Sequence, residues 1–223
     1  MSIRNGRKRA LLASCSGLPS FRAATRLPVM NFPEVLQRIT VALDRAGVAY
    51  MLTGSFASAY YGSLRSTQDI DLVIAATPQQ LQTLIPGLPS GEYYADLDAA
   101  LEAFKRETMF NVIDLRTGWK IDMIICKSRA FSQEEFGRRQ RLSLQGISLS
   151  VASAEDVILS KLEWSKLSQS QRQIEDVAGI LKIQRGSLNR PYLEQWIHEL
   201  GLEKEWEDAL RAGNISDLSI SPE

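Results

Sequence analysis

The segment Asp69-Ile70-Asp71-Leu72-Val73-Ile74 limits the fold more than any other stretch of the chain. Strict alternation sends Asp69 and Asp71 to one face of a strand and Ile70, Leu72 and Ile74 to the other. The apolar side needs a core, while two carboxylates held side by side on a rigid strand repel each other. Such a strand belongs in a sheet covered on at least one face, with its acids at the entry. Taken alone, the pair also fits two solvated acids on an edge strand.

The surrounding sequence supplies the covering layers. Residues 33–46 place Val35, Leu36, Ile39 and Leu43 at helical spacing and stop at Gly47. Residues 50–53 read as a short buried strand broken by Gly54-Ser55, and 56–61 as a short helix closed by Gly62. Thr77, followed by Pro78, caps a helix to residue 84, and Asp96 caps another from 97 to about 106. The second Asp-x-Asp, Asp96-Leu97-Asp98, is therefore a helix start rather than a site. Residues 110–115 and 120–126 form a hairpin, 132–140 a helix, and 143–151 a strand bent at Gly146. After Ser153 the chain reads as helical at 154–167, 171–182, 191–200 and 202–212. The expected architecture is α/β: a mixed sheet of four or five strands, then a C-terminal helical subdomain. The boundary falls near residue 152, giving a domain over 30–152 and a helical part over 153–223.

Charge and rare residues narrow the chemistry. Lys+Arg and Asp+Glu both number 26, yet Arg4, Arg7, Lys8, Arg9, Arg22 and Arg26 face no acid within residues 1–29. That segment reads as a disordered or wrongly started basic extension outside the fold. The remainder is acidic, so nucleic acid would have to be held locally rather than by bulk attraction. His198 is the single histidine, which rules out a multi-histidine metal site. Cys15 and Cys126 lie far apart, form no zinc or disulfide framework, and fit a reducing cytoplasm. No run of the sequence is a continuous apolar span, so no membrane partner is expected.

A third acid gives the Asp-x-Asp pair its meaning. Lys120-Ile121-Asp122-Met123-Ile124-Ile125 is another apolar strand carrying one aspartate near its start. Pairing beside 69–74 would bring Asp69, Asp71 and Asp122 to one sheet end. Three carboxylates are hard oxygen ligands suited to Mg²⁺ or Mn²⁺, and in pairs such ions serve phosphoryl transfer. Gly54 and Ser55, between a strand and a helix, offer amides and a hydroxyl to phosphate oxygens, and Arg65 a charged donor.

This pattern, Leu52-Thr53-Gly54-Ser55, a spacer, Asp69-Ile70-Asp71 and a later Asp122, resembles the polymerase-beta type nucleotidyltransferase superfamily. Within it the chain is similar to AbiEii-like bacterial members, the toxins of type IV toxin–antitoxin systems, over about residues 30–201. Residues 110–114 leading to 120–122, the run 154–162, and Arg172 through Val177 share in the likeness. The resemblance implies a mixed-sheet nucleotidyltransferase fold and transfer of a nucleoside monophosphate from a nucleoside triphosphate to an acceptor hydroxyl of RNA or protein. It implies Asp69, Asp71 and Asp122 as metal ligands, Asp122 also as base, and Gly54, Ser55, Arg65, Lys161 and Asp176 on the nucleotide. Lys161, on an apolar helix, needs an anion to face. A cognate antitoxin is an implied partner. The Gly54-Ser55-Phe56 turn departs from the two glycines typical of those toxins. Other readings are a catalytically silent or antitoxin-like binding module, and a small-molecule nucleotidyltransferase of the aminoglycoside type.

Several side chains have blander readings. Lys127, Arg129, Arg138, Arg139 and Arg141 make a local basic run that either guides a polyanion or is a solvated helix face. Asp114 sits near a hairpin turn and is read as structural, His198 as a surface residue, and Trp164, Trp196 and Trp206 as helix packing. Tyr60 and Tyr61 are candidates for base stacking or for packing on the sheet.

Overall fold

Helix α1, Phe32–Arg45, forms because Val35, Leu36, Ile39 and Leu43 recur along one side, where all four are fully buried. The computed structural model describes residues 32–63, 67, 69–144 and 146–218. Arg65 and the basic extension at 1–29 lie outside the described residues. After α1 come β1 (Ala49–Leu52), α2 (Gly54–Tyr61), β2 (Asp69–Ala75), α3 (Pro78–Gly87), β3 (Tyr93–Ala95) and α4 (Leu97–Arg106). They are followed by β4 (Met109–Asp114), β5 (Lys120–Ile125), α5 (Ala130–Gly137), β6 (Gln140–Leu144) and β7 (Ile147–Val151). Four helices close the described chain: α6 (Ala154–Ser168), α7 (Gln171–Gln184), α8 (Arg190–Leu200) and α9 (Glu203–Gly213).

The strands make one mixed sheet in the order β3-β4-β5-β2-β1-β7-β6. β2 and β5 run parallel, as do β1 and β7, and the other neighbours are antiparallel. The fold is therefore α/β with a mixed sheet and a helical C-terminal stretch, as the alternation of elements implied. Ile70, Leu72, Ile74, Ile121 and Met123 are fully buried, so the centre of the sheet lies in the core.

The sheet has seven strands among the described residues, not the four or five expected. β3 is only three residues long, too short to show a period, and is held by pairing with β4. The expected bent strand at 143–151 is instead a hairpin, with Leu144 opposite Ile147 and Gly146 at φ 85° beside the turn. Its first strand takes Gln140, which the periodicity had assigned to the preceding helix.

Local signals hold elsewhere. Thr77 and Gln80 form a reciprocal capping box on α3, and Asp96 accepts from the Ala99 amide at 3.0 Å. Ser153 caps α6 by accepting from the Asp156 amide at 3.2 Å, and its hydroxyl donates to the Asp156 carboxylate at 2.6 Å. The same carboxylate accepts from Tyr192 of α8 at 2.6 Å and from Arg138 at 3.3 Å. The Arg138 guanidinium lies 3.7 Å from the Tyr192 ring centre, so a charged cluster joins α5, α6 and α8. Trp196 and Trp206 are buried in the helical packing. No helix among the described residues is long and apolar enough to cross a membrane.

Candidate active site

Parallel pairing of β2 with β5 puts Asp71 directly opposite Asp122 and Asp69 opposite Lys120. The period-two rule then places Asp69, Asp71, Lys120 and Asp122 on one face of the sheet. They line a cleft of about 480 Å³ whose other wall includes Ser160, Lys161 and Trp164 of α6 and Gln173 of α7. These four belong to the helical stretch, so the cleft lies between the sheet and the C-terminal helices.

The turn after β1 presses on the acids. Gly54 sits at φ 63°, and a Cβ there would fall 2.5 Å from Cγ of Asp71. Only glycine fits this approach without strain. The Thr53 amide donates to the Asp71 carbonyl at 3.0 Å, and the Ser55 amide to the Asp71 carboxylate. One amide of the first turn of α2, that of Ser55, therefore already meets an anion, the Asp71 carboxylate.

Electrostatics concentrate on the same carboxylate. Burial, then the neighbouring Asp122, push the Asp71 pKa up to about 6 against the opposing pull of the Ser55 amide and Lys161. Asp122 is buried and accepts from the side-chain amide of Asn111 on β4. Lys120 Nζ lies 3.1 Å from Asp122 and 3.5 Å from Asp69. Burial works against the Lys120 ammonium, but Asp122 and Asp69 outweigh it and raise its pKa.

As these side chains stand, no three His, Cys, Asp or Glu among the described residues are grouped tightly enough to hold a metal ion. Each acid is engaged by something else: Asp69 and Asp122 by the Lys120 ammonium, Asp71 by the Ser55 amide. The donor set nonetheless fits a hard divalent cation. It consists of oxygen ligands only, a cationic group already lies between two of them, and the third is repelled by Asp122, with the Ser55 amide and Lys161 acting against that push.

No family model matches the chain, and no curated protein matches it. Among solved structures it is similar to the antibiotic-resistance factor ANT(2″)-Ia, at 14% identity and a TM-score of 0.48 over 81% of this chain and 95% of that one. It is also similar to the lincosamide antibiotic adenylyltransferase LnuA, at 14% and 0.49 over 69% of this chain and 98% of that one. A third is JHP933 from Helicobacter pylori, at 16% and 0.44 over 84% of this chain and 81% of that one. Similarity at this level leaves the chemistry to be argued from the cleft itself.

The remaining sequence candidates divide. Lys161 lines the cleft, but the anion it faces is internal: Nζ donates to Asp176 at 2.7 Å and to Gln173 at 2.8 Å. Asp176 also accepts from Ser63 at 2.8 Å and stands behind Lys161 rather than on the cleft wall. The basic run divides: Lys127 and Arg141 are exposed, as a solvated face would have them, while three of its arginines turn into the fold. Arg129 forks onto Glu163, Arg138 meets Glu155 and Asp156, and Arg139 donates to the Phe136 carbonyl at 2.6 Å. Tyr61 is buried with its hydroxyl donating to the Ala152 carbonyl at 2.8 Å, whereas Tyr60 is exposed.

Residues of the site missed in the sequence include Lys120, Trp164, Met109, Ile124 and Gln173 on the cleft wall, and Asn111, which holds Asp122. Lys120 and Asn111 follow from the alternation that found Asp122, since residues two apart or directly opposite share its face. Trp164 was expected in helix packing but is 57% exposed. Its spacing of three from Lys161 on one helix face was the signal.

Proposed function

We propose that the protein is a nucleotidyltransferase, moving a nucleoside monophosphate from a nucleoside triphosphate to an acceptor hydroxyl. The observation that carries this is the in-register pairing of Asp71 with Asp122 beside a glycine turn that tolerates no side chain. The acceptor oxygen attacks the α-phosphorus, the bond to the bridging oxygen breaks, and pyrophosphate leaves. Asp122 takes the acceptor proton, Gly54 and Ser55 lie against the phosphates, and Lys161, braced by Asp176, supplies positive charge to them. Arg65 joins the phosphate side in this reading. Asp69, Asp71 and Asp122 would hold Mg²⁺ or Mn²⁺, which when bound neutralises the triphosphate and acidifies the attacking hydroxyl. Lys120 neutralises Asp69 and Asp122 until that exchange. The helices from residue 153 onward act as the subdomain that closes the cleft over the nucleotide.

The test is incubation with each α-labelled triphosphate, Mg²⁺ and cell extract. Label should enter an acceptor with wild type and not with Asp122→Asn or Asp71→Asn. Equal transfer by either variant would sink the proposal. The narrower toxin-like role with a cognate antitoxin, and with RNA or protein as acceptor, rests on the sequence resemblance. Growth arrest on expression, relieved by a co-expressed partner, would support it. A small-molecule acceptor is favoured by a separate observation: among the described residues the cleft wall carries only two cations, Lys120 and Lys161, too few to track an RNA backbone.

A further inference from the structure

The cleft has two chemically different ends. Sheet order runs from β1, which leads into Gly54, through the acids of β2 and β5, to β4. On the far side of Asp122, Met109 of β4 pairs with Ile124 of β5, and both line the cleft. Trp164 faces the same cleft from α6. Its turn of helix is fastened beside the exit of β5, because the neighbouring Glu163 is gripped by both terminal nitrogens of Arg129. Met109 and Trp164 are 44% and 57% exposed, among the few large apolar side chains of the described residues that face solvent. Two such groups on the wall of one cleft make an apolar shelf rather than scattered surface residues.

Charge limits what can rest on that shelf. Among the described residues, the only carboxylates on the cleft wall are Asp69, Asp71 and Asp122. If these hold metal, none is left to bind a polycation. Lys120 and Lys161 are the only cations among the described residues on the cleft wall, and Arg129 and Arg138 are paired with acids within the fold, so no row of cations lines the cleft for a phosphate backbone. We infer that the acceptor is an uncharged hydroxyl compound with a flat apolar ring face, stacked on Trp164 and seated against Met109 and Ile124. This rests on the nucleotide-transfer reading and names the substrate class for the side of the cleft away from Gly54. An aromatic ring and the apolar face of a sugar share this chemistry.

The test uses the four indole N–H resonances of the protein's four tryptophans, one of which Trp164→Phe removes and so assigns. With Mg²⁺ and a non-transferable ATP analogue present, phenyl β-D-glucoside, methyl β-D-glucoside, kanamycin and the oligoribonucleotide r(U)12 are titrated separately. Saturable shifts of the Trp164 indole with the phenyl glycoside alone assign an aromatic acceptor, and shifts with both glycosides a sugar face. Either result supports the inference. In that case Trp164→Ala should weaken glycoside binding about tenfold, read on the Met109 methyl, while Trp164→Phe keeps most of it. Shifts confined to kanamycin or r(U)12, or none with any probe, overturn it. Calorimetry with the four nucleoside triphosphates separates this from the parent reading. Heat with a triphosphate but no glycoside shift defeats only the acceptor class, whereas no heat with any triphosphate defeats nucleotide transfer.

Discussion

Asp114 and Asp122 lie on the two strands of one hairpin and are both buried, yet they do opposite work. Asp114 shares its face of β4 with Phe110 and Val112, which are in the core, whereas Asn111 and Asp122 face the cleft. The Asp114 carboxylate accepts from the Arg38 guanidinium and from the amides of Arg116 and Thr117 at 3.0 and 3.2 Å. Its partners are complete: one cation, which it shares with the half-exposed Glu92, and two turn amides. Asp122 meets one amide and a half-exposed lysine, and a second acid stands opposite in register. A buried carboxylate with settled partners builds structure, while one crowded against its own kind is poised to take a further cation.

That contrast is broken most sharply by Asp122→Asn, which should lower transfer about a thousandfold while leaving the melting temperature near wild type. Steady-state label transfer and a thermal melt on one preparation check both halves. Asp114→Ala should do the reverse. Removing the partner of Arg38 and two turn amides costs about 3 kcal/mol, a fall in melting temperature of about 10 °C, with transfer per folded molecule retained. Equal losses of activity from the two variants would erase the distinction. Gly54→Ala should damage both properties, costing about 2 kcal/mol for the left-handed backbone and displacing Asp71 enough to abolish transfer.

The pH dependence sharpens the same point. The Asp71 carboxyl holds its proton to about pH 6 in the folded chain, above the ordinary carboxylate value it has when unfolded. The native state therefore binds more protons between about pH 4 and pH 6, and stability falls as pH rises through that window. Asp71→Asn, whose side-chain oxygen can still accept from the Ser55 amide, removes this loss. In EDTA it should be more stable than wild type at pH 7.5, by up to about 2 kcal/mol, and no more stable at pH 4. Subtracting the two denaturation series cancels Glu135, whose own pKa burial pushes up to about 7. Least of all, Lys120→Ala should change stability by about 1 kcal/mol, because the ammonium is half-exposed, its pairing with Asp69 is largely solvated, and the Asp122 carboxylate it leaves still accepts from Asn111.

Sequence showed the acids because alternation is a local property: residues 69–74 and 120–125 each reveal which side their carboxylates take. It also implied that the two strands pair, and the register Asp71 to Asp122 follows once β2 and β5 lie side by side. What it hid depends on distant partners. Asp176 as the anion facing Lys161, and Arg38 reaching Asp114 across 76 positions, are meetings that no window of sequence contains. Within the basic run, Arg129 and Arg138 were hidden for the same reason, since the acids they meet lie on α6. Trp164 was misjudged because an aromatic at helical spacing is the signature of a packed face and of a cleft wall alike.

The grip of Arg129 on Glu163, together with the hydroxyl of Ser160 donating to Glu135 at 2.8 Å, ties α6 to the segment that follows β5. The helix bearing Lys161 and Trp164 is thereby riveted to the strand bearing Asp122. Any closing movement of the helices over a guest must therefore carry α5 along or pivot about these two attachments.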